Sequence, residues 1–291
     1  MVLKIRFAEE QDKTKVLEFT AHTWEQGDYI QYVWDDWLHS PHGKLFTAEL
    51  NAIPVGIMHI KKITDTIALL EGARVDPNYR GQGIGTKLTE ACIEYARTKG
   101  FEKIRLVTAI DNTPARTVAE RLGFGVHSSW LRFDIPVDPQ PQEESQCTFA
   151  DSSHIPEIMN FLENSDVYRL KCKRTMMPFF EPHPLTYDTL LKIGNFHVII
   201  CRREGNKIDA VGILFYTISK RDYKLRLYLG YLDGNYKSLL KILDFVKYIA
   251  FVNNLERISA FAAFDDNLKK IIEERYNPTR LHNFLVYELS L

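Results

Sequence analysis

Three closely spaced glycines form the part of the sequence best suited to hold an anion. They lie in Arg80-Gly81-Gln82-Gly83-Ile84-Gly85-Thr86, between a strand pattern that ends at Val75 and a helical pattern. Glycines at such a junction let several backbone N–H groups point into one concavity, where the helix dipole adds partial positive charge. We therefore predict a cradle for a pyrophosphate group. The alternative is that the glycines only permit a tight turn.

Two well-known nucleotide loops do not fit this run. The dinucleotide pattern Gly-x-Gly-x-x-Gly would need a glycine at position 86, where Thr86 stands. A Walker loop would need Gly-Lys-Ser or Gly-Lys-Thr, which the run lacks. Dinucleotide binding and nucleotide hydrolysis therefore both lose support.

Cysteines and histidines form no metal-binding pattern in the sequence. The four cysteines never stand in Cys-x-x-Cys spacing, and no two of the nine histidines are spaced as His-x-x-x-His. We expect no metal ion, and thiols that are reduced and mostly buried. Cys92 falls on the predicted buried face of the helix after the glycine loop, so we expect a core residue there and not a nucleophile.

Alternating and helical patterns predict the elements that carry the loop. Ile30, Val33, Trp34, Trp37 and Leu38 form one apolar helical stripe, with Asp28 as its predicted N-cap. The other predicted helices cover 12–21, 86–99 and 115–122. Strands are predicted at 4–8, 45–49, 55–61, 67–75, 104–110 and 129–135. This order indicates an α/β domain with a mixed sheet.

A proline-rich stretch at 137–145 is the predicted linker between a first domain, 1–136, and a second, 146–291. The second half resembles the first element by element: 146–151 matches 4–9, 211–214 matches 55–58, and 258–275 matches 104–121. We interpret this as one fold used twice, and two unrelated mixed domains are the alternative. The second half has Asp-Gly-Asn-Tyr-Lys-Ser at 233–238 in place of the glycine loop.

Composition excludes several kinds of partner. The 291 residues are 45% hydrophobic and 26% charged, with a net charge of −1. Lys and Arg number 17 against 18 Asp and Glu before residue 137, and 20 against 20 after it, so neither half is basic enough for nucleic acid. No apolar run is long enough to span a bilayer. We expect a cytoplasmic protein without nucleic-acid or membrane partners, either a monomer or a homodimer.

The glycine run and its surroundings resemble the GCN5-related N-acetyltransferase (GNAT) superfamily. Arg80 to Gly85, after Val75-Asp76-Pro77, is similar to the acetyl-CoA signature Arg/Gln-x-x-Gly-x-Gly/Ala of that family. Asn112, Ala115 and the Leu-Gly-Phe at 122–124 match a second family segment. The resemblance implies a GNAT fold followed by a second, degenerate GNAT-like domain. Glu71-Gly72, Asp28-Tyr29 and Trp37-Leu38 weakly resemble a histidine N-acetyltransferase-like subgroup.

The resemblance also implies where acetyl-CoA would bind as a co-substrate. The strand backbone at Ala73, Arg74 and Val75 would bind the pantetheine arm, and Asn112 would bond the coenzyme near its thiol. The signature residues would hold the pyrophosphate; they are Arg80, Gly81, Gln82, Gly83, Ile84, Gly85 and Thr86. Two family features are missing, because Ala119 stands where a thiolate-protonating tyrosine is frequent and Val107 where a carboxylate sometimes lies.

Glu71 is the predicted catalytic base. An attacking amine has a pKa of about 8 to 10.4 and must lose a proton. Residues 68–73 carry no other charge, so we expect desolvation to favour a base that works near neutral pH. The alternative is that Glu71 is a salt-bridge partner of a nearby Lys or Arg. The missing tyrosine matters less, because a thiol of pKa about 8.5 can leave as a thiolate.

The acceptor pocket is predicted around the first two helices. Tyr29, Tyr32 and Asp35, with Asp36, lie off the apolar stripe and could attract a cationic amine; a solvated helix face is the alternative. For Trp34 and Trp37 we expect core packing. Residues 176–184 are apolar and proline-rich, and could pack between the domains or form a lid. The predicted function is direct acetyl transfer to a primary amine of a small molecule or amino acid. The alternative is a non-catalytic acyl-CoA-binding regulatory module.

Overall fold

A mixed sheet carries the glycine loop. The computed structural model describes residues 3–23, 27–137, 146–194, 197–202 and 207–291. Apart from residue 137, the predicted linker at 137–145 lies outside these residues. The chain divides into two compact units. Unit 1 comprises Met1–Val126, Lys220–Asp222 and Tyr287–Leu291, and unit 2 comprises His127–Ser219 and Tyr223–Val286.

Unit 1 is built from an antiparallel meander followed by a parallel crossover. Its strands are β1 (Leu3–Phe7), β2 (Gly43–Leu50), β3 (Ile53–Lys62), β4 (Ile67–Val75) and β5 (Lys103–Ala109). Its helices are α1 (Lys13–Thr20), α2 (Ile30–Leu38), α3 (Ile84–Thr98) and α4 (Thr113–Arg121). The strands lie in chain order; β1 to β4 are antiparallel and β4 is parallel to β5. The predicted order of elements is therefore confirmed.

Local sequence explains the ends of these elements. Asn51 and Ala52 have φ of 51° and 63°, the left-handed pair that a two-residue hairpin between β2 and β3 requires. Asp28 does not cap α2 as predicted, since the residue before the helix is Tyr29. The Asp28 carboxylate instead accepts from the Ile30 N–H at 3.2 Å, and the Gln31 side chain donates to the Asp28 carbonyl. The cap is thus displaced by one residue.

The parallel pair of unit 1 opens towards the carboxyl ends of its strands. Pairing of β4 with β5 runs from Ile67 opposite Lys103 to Leu70 opposite Leu106 and stops there. On the other side of β4, Glu71, Arg74 and Val75 still pair with β3, where Gly56 lies opposite Val75 and the register shifts between Ile57 and His59. The far edge of β4 therefore has backbone groups free of strand pairing, directly before the glycine loop.

Unit 2 repeats this order of elements, with one strand added before it and two short strands inserted between its first two helices. Its strands are β6 (Gly125–Pro136, from His127), β7 (Cys147–Phe149), β8 (Thr175–Met176), β9 (His183–Pro184), β10 (Val198–Arg202), β11 (Ile208–Ile218), β12 (Leu225–Gly234), β13 (Arg257–Ala263) and β14 (Arg280–Ser290, to Val286). Its helices are α5 (Ile155–Glu163), α6 (Tyr187–Ile193), α7 (Tyr236–Val252) and α8 (Asp266–Tyr276). A separate two-stranded sheet joins β8 to β9, while β12 is parallel to β13.

Strand register supports the predicted internal repeat. Gly56 of β3 lies opposite Val75, and Gly212 of β11 lies opposite Leu232. In both units this glycine faces the helix that follows the parallel strand, because an added Cβ would meet Ile84 at 3.1 Å in unit 1 and Ile242 at 2.9 Å in unit 2. Leu232 therefore corresponds to Val75, and Gly230 corresponds to Ala73.

The compact units do not follow the predicted domain boundaries in chain order. From His127, β6 belongs to unit 2, where it pairs with β13 and buries Leu131, Phe133 and Ile135 in the core of that unit. Conversely, the end of β14 from Tyr287 belongs to unit 1 and lies beside β5. Sequence patterns assign a strand to its neighbours along the chain, so they placed β6 with the first domain.

Candidate functional site

The glycine loop is open on the side where its side chains would be. Gly81 and Gly83 have φ of +76° and +75°, a conformation that other residues adopt only with strain. Gly83 is the residue before α3. A Cβ added to Gly81, Gly83 or Gly85 would meet no protein atom within 4 Å. The loop is therefore not packed against its own chain.

Gly85 tests whether a tight turn alone explains these glycines. It lies within α3, outside the left-handed region, and has open space where a side chain would be. Neither backbone conformation nor packing requires glycine there. The first N–H groups of α3, at Ile84, Gly85 and Thr86, have no acceptor within the helix and carry the positive end of its dipole. An anion bound at this helix start accounts for both observations.

Arg80 and Asp76 shape the approach to the loop. The buried Asp76 carboxylate accepts from the Asn78 N–H at 2.9 Å, and the Asp76 N–H donates to the Val55 carbonyl at 2.9 Å. Arg80 is exposed, and its Nε donates to the Val75 carbonyl at 3.3 Å. The turn between β4 and α3 is thus tied to the sheet, with Gln82 exposed at its tip.

Arg74 is held by a buried carboxylate. Its Nε donates to Asp28 Oδ2 at 2.6 Å and its Nη2 to Asp28 Oδ1 at 3.2 Å, while Nη1 donates to the Ala73 carbonyl at 2.8 Å. The guanidinium also lies over the Tyr29 ring, 5.3 Å from its centroid. Asp28 is 3% exposed. The predicted pantetheine strand therefore carries a rigid side chain that reaches the start of α2.

Asn112 caps α4. Its Oδ1 accepts from the Ala115 N–H at 3.4 Å, and its Nδ2 donates to Thr108 Oγ1 at 3.0 Å. Both the oxygen and the nitrogen of the amide are thus hydrogen-bonded within unit 1, and the bond to the Ala115 N–H is the usual one for a capping asparagine. Coenzyme contact by Asn112 stays a prediction.

Glu71 is not in the uncharged environment that its own segment suggested. Its Oε1 lies 2.9 Å from His59 Nδ1, and its Oε2 lies 3.1 Å from Lys61 Nζ. Both partners come from β3, the neighbouring strand. The side chain of Glu71 is 22% exposed. The salt-bridge alternative is therefore present in the structure, together with a histidine contact that the sequence interpretation missed.

His59 is the residue of this group that sequence reasoning overlooked. It is 1% exposed, and its Nε2 has no hydrogen-bond partner among the described residues. The ring stacks on Trp37, with centroids 4.6 Å apart and planes 8° apart. The register of the β3–β4 hairpin identifies this contact. Lys62 lies opposite Ala68, and counting away from the turn along both strands from that pair places His59 opposite Glu71.

Tyr29 completes this cluster, and Asp35 does not join it. The Tyr29 ring meets Trp37 edge-on at 5.9 Å, although 40% of the residue stays exposed. Desolvation, opposed by the nearby Arg74, raises the pKa of its hydroxyl. Asp35 is exposed and pairs with Lys13 of α1 at 2.7 Å, as on a solvated helix face.

The other α2 residues singled out in the sequence are two tryptophans, one aspartate and one tyrosine. Trp34 and Trp37 lie in the core, as predicted. Asp36 pairs with Lys220, and Tyr32 is partly buried.

The cysteine and the two departures from the family pattern have clear positions. Cys92 is fully buried on α3, and burial raises the pKa of its thiol well above the usual range. Ala119 is buried on α4, and Val107 lies partly buried on β5. Among the described residues, no group of three His, Cys, Asp or Glu side chains could hold a metal ion. None of the helices described is long and apolar enough to cross a membrane.

The corresponding region of unit 2 is occupied by its own chain. The Met177 N–H donates to the Gly230 carbonyl at 2.7 Å, so this segment bonds to β12 at the position that corresponds to Ala73. Phe179 and Phe180 pack on Tyr228 and Phe261 at 4.8 and 4.9 Å. At the start of α7, Asn235 caps the helix by accepting from the Ser238 N–H at 3.0 Å. The segment 176–180 thus packs on the sheet of unit 2.

Comparisons with known proteins agree on one family. Residues 9–124 match the model of the acetyltransferase (GNAT) family. The N-alpha-acetyltransferase 30 of Schizosaccharomyces pombe is 34% identical over 109 residues, which are 36% of this chain and 73% of that protein. An uncharacterized N-acetyltransferase of Methanocaldococcus jannaschii is 37% identical over 98 residues. That match covers 30% of this chain and 42% of the archaeal protein.

A solved structure extends the likeness in fold to both units. The GCN5-related N-acetyltransferase from Sphaerobacter thermophilus has a TM-score of 0.60 and 13% identity, covering 99% of this chain and 95% of that one. At this identity the likeness concerns the fold alone, and it confirms the predicted mixed α/β architecture. Motif, sequence relatives and fold lead to the same conclusion: the chain belongs to the GNAT family of acetyltransferases.

Proposed function

We propose that the chain is an acetyl-CoA-dependent N-acetyltransferase, in which unit 1 transfers the acetyl group directly to a primary amine of a small molecule or amino acid. The observation that carries the proposal is the open glycine cradle at the start of α3, where Gly85 has no structural need to be glycine. Family membership supports acetyl transfer in general.

The coenzyme would bind along one continuous path in unit 1. Its pyrophosphate would accept hydrogen bonds from the amides between Gly81 and Thr86. Its pantetheine arm would follow the edge of β4 at 73–75, where pairing with β5 has ended. The acetyl group would then lie near Glu71, two residues earlier on the same strand.

Acetyl transfer needs one proton acceptor and a good leaving group. The amine nitrogen attacks the thioester carbon, the nitrogen proton passes to Glu71 directly or through one water, and the carbon–sulfur bond breaks as the coenzyme thiolate leaves. A thiol of pKa about 8.5 leaves readily as its anion, so no side chain is required in the place of Ala119. The products are the acetylated amine and the coenzyme thiol. The thiolate takes its proton from water, and Glu71 gives its proton to the resulting hydroxide, which restores the carboxylate.

Direct transfer is favoured over a covalent enzyme intermediate. An acyl-cysteine would need an accessible thiolate. All four cysteines are buried, and burial raises the pKa of Cys92 and Cys172. Two successive transfers would need an accessible cysteine thiolate, whereas a single attack by the acceptor amine needs none.

Unit 2 would not bind the coenzyme. Its β12 carbonyl at Gly230 already accepts from Met177, and the start of α7 has Tyr236, Lys237 and Ser238 in place of open glycines. We infer that this unit has no coenzyme of its own.

A non-catalytic acyl-CoA-binding module is the second candidate. Ala119 and Val107 favour it, because two side chains that help catalysis in the family are missing. The Lys61 ion pair on Glu71 also favours it, since the pair occupies one oxygen of the candidate base.

Thiol release from acetyl-CoA separates the two candidates. The chain would be incubated with acetyl-CoA and a panel of α-amino acids, polyamines and amino sugars, and free thiol and acetylated product would both be measured. We expect turnover with at least one amine, and a loss of about 100-fold or more in Glu71→Gln. Tight coenzyme binding without turnover on any amine would instead identify a binding module.

A further inference from the structure

We propose that His59 is a positioning residue for Glu71. Its Nδ1–H donates to Oε1 of the carboxylate and fixes the side chain, which leaves Oε2, beside Lys61, as the oxygen that takes the amine proton. The inference rests on the proposed function of Glu71 and adds a second residue to it.

The contacts of the imidazole assign its protons. A carboxylate only accepts hydrogen bonds, so Nδ1 must be the donor towards Glu71. Nε2 is buried without a partner among the described residues. A doubly protonated ring would bury an N–H donor with nothing to accept it, which is more unfavourable than an unpaired lone pair. The ring is therefore neutral and carries its hydrogen on Nδ1.

The ring is held from several sides. Trp37 stacks on its face, and a Cβ on Gly43 would lie 2.5 Å from Nε2, so only glycine leaves room for the imidazole there. Trp37 in turn packs over Gly72, the residue after Glu71.

Few other charged groups face the histidine–glutamate pair. Lys61 comes from the same strand as His59. Tyr29 immediately precedes α2, and Arg74, which is ion-paired with Asp28, lies near it. Oε1 of the carboxylate therefore faces His59 and Oε2 faces Lys61, on a side chain that is 22% exposed.

Stability alone does not account for a histidine at position 59. A buried nitrogen without a hydrogen-bond partner destabilises the fold. A leucine would fill a similar volume against Trp37 without that cost. The imidazole gains one hydrogen bond, to Glu71, and the position of that carboxylate is what the bond determines.

Two variants and one spectroscopic measurement test the proposal. His59→Leu removes the donor, whereas His59→Asn keeps an amide N–H close to the place of Nδ1. With acetyl-CoA and the best amine of the panel, we expect kcat to fall about 10-fold to 100-fold in His59→Leu and to recover to within about threefold of wild type in His59→Asn. KM for acetyl-CoA should not change. Thermal unfolding would verify that both variants fold.

The tautomer of His59 can be read without any acceptor. In ¹⁵N-histidine-labelled protein at neutral pH, we expect His59 to show a protonated Nδ1 and an unprotonated Nε2, and we expect Glu71→Ala to change that pattern. An Nε2–H tautomer in the wild type would overturn the proposal. So would an unchanged kcat in a folded His59→Leu variant while the wild type turns over. If the wild type acetylates no amine, the proposed function fails, whereas wild-type turnover with an unchanged kcat in His59→Leu overturns only the role of His59.

Discussion

The imidazole of His59 lies parallel to the indole of Trp37, with ring centroids 4.6 Å apart and an angle of 8° between the planes. The indole passes over β4 to reach His59 on β3. Gly72 of β4, which has a φ of +67°, leaves space for it. The stack is thus part of the core of unit 1 and also borders Glu71. Its integrity links the stability of the unit to the geometry of the candidate base.

Gly72→Ala should destabilise unit 1 strongly. A Cβ at this position would overlap the Trp37 ring, and the left-handed φ adds strain. Gly100→Ala is the matched control, because Gly100 has a φ of +77° but no atom within 4 Å of an added Cβ. We expect the control to lose about 1–2 kcal/mol from backbone strain, and Gly72→Ala to lose about 1–3 kcal/mol more. Equal losses in urea unfolding would show that the indole moves aside freely.

One coenzyme should bind per chain. Gly85→Asp places a carboxylate where the pyrophosphate would lie, yet an acidic residue in a first helical turn does not weaken the helix. Calorimetric titration with coenzyme A should give one site, with affinity at least about tenfold lower in Gly85→Asp, a difference of about 1.4 kcal/mol.

Two control variants accompany that titration. Gly85→Ala adds a methyl group without charge, which crowds the anion but does not repel it, so it should weaken binding less than Gly85→Asp does. Lys237→Asp introduces the same carboxylate at the second residue of α7 in unit 2, with a charge change of two instead of one, and it should have no effect. Two sites per chain, or wild-type affinity in Gly85→Asp, would contradict the assignment of the cradle to unit 1.

Local patterns were sufficient to predict the loop and its elements. The glycine run, the strand before it and the helix after it all lie within about 30 residues, and each is set by short-range preferences of the chain. The same holds for the core role of Trp34 and Trp37, because a helical stripe of apolar residues buries itself whatever its partner is.

Long-range pairing accounts for what the sequence patterns missed. That β6 belongs to unit 2 depends on β13, more than 100 residues away in the chain, and no periodicity records such a partner. The segment around Glu71 contains no other charged residue, because its partners His59 and Lys61 lie on the neighbouring strand. Only the register of the β3–β4 hairpin reveals them.

Cysteine labelling should fail in the folded protein. A thiol reacts with iodoacetamide as its thiolate, and all four cysteines are buried, with the pKa of Cys92 raised by burial. We expect no labelling at pH 7.5 in the native state and four labels in urea. Thr98→Cys provides an exposed thiol on the same helix as a positive control. Rapid labelling of native Cys92, with loss of activity and no unfolding, would revive a covalent mechanism.

Asp265 should make the stability of unit 2 depend on acid pH. Burial raises the pKa of this carboxyl, but hydrogen bonds from the Leu268 N–H, Lys171 and Tyr236 at 3.0, 2.9 and 2.7 Å outweigh it and lower the pKa from 3.8 to about 2. A carboxyl whose pKa is lower in the folded state stabilises the fold when it is ionised. Its contribution is therefore complete above about pH 4 and is lost as the pH falls towards 2.

Asp265→Asn isolates this contribution, because asparagine can still cap α8 by accepting from the Leu268 N–H. The variant should be less stable than wild type at pH 7, and the difference should shrink as the pH is lowered from 4 to 3. Asp266→Asn, at the exposed neighbouring residue, provides the control for a simple loss of negative charge. The free energy of unfolding, measured in urea at each pH, gives the comparison. A difference between Asp265→Asn and wild type that stays constant down to pH 3 would mean that the charge of Asp265 does not stabilise the fold.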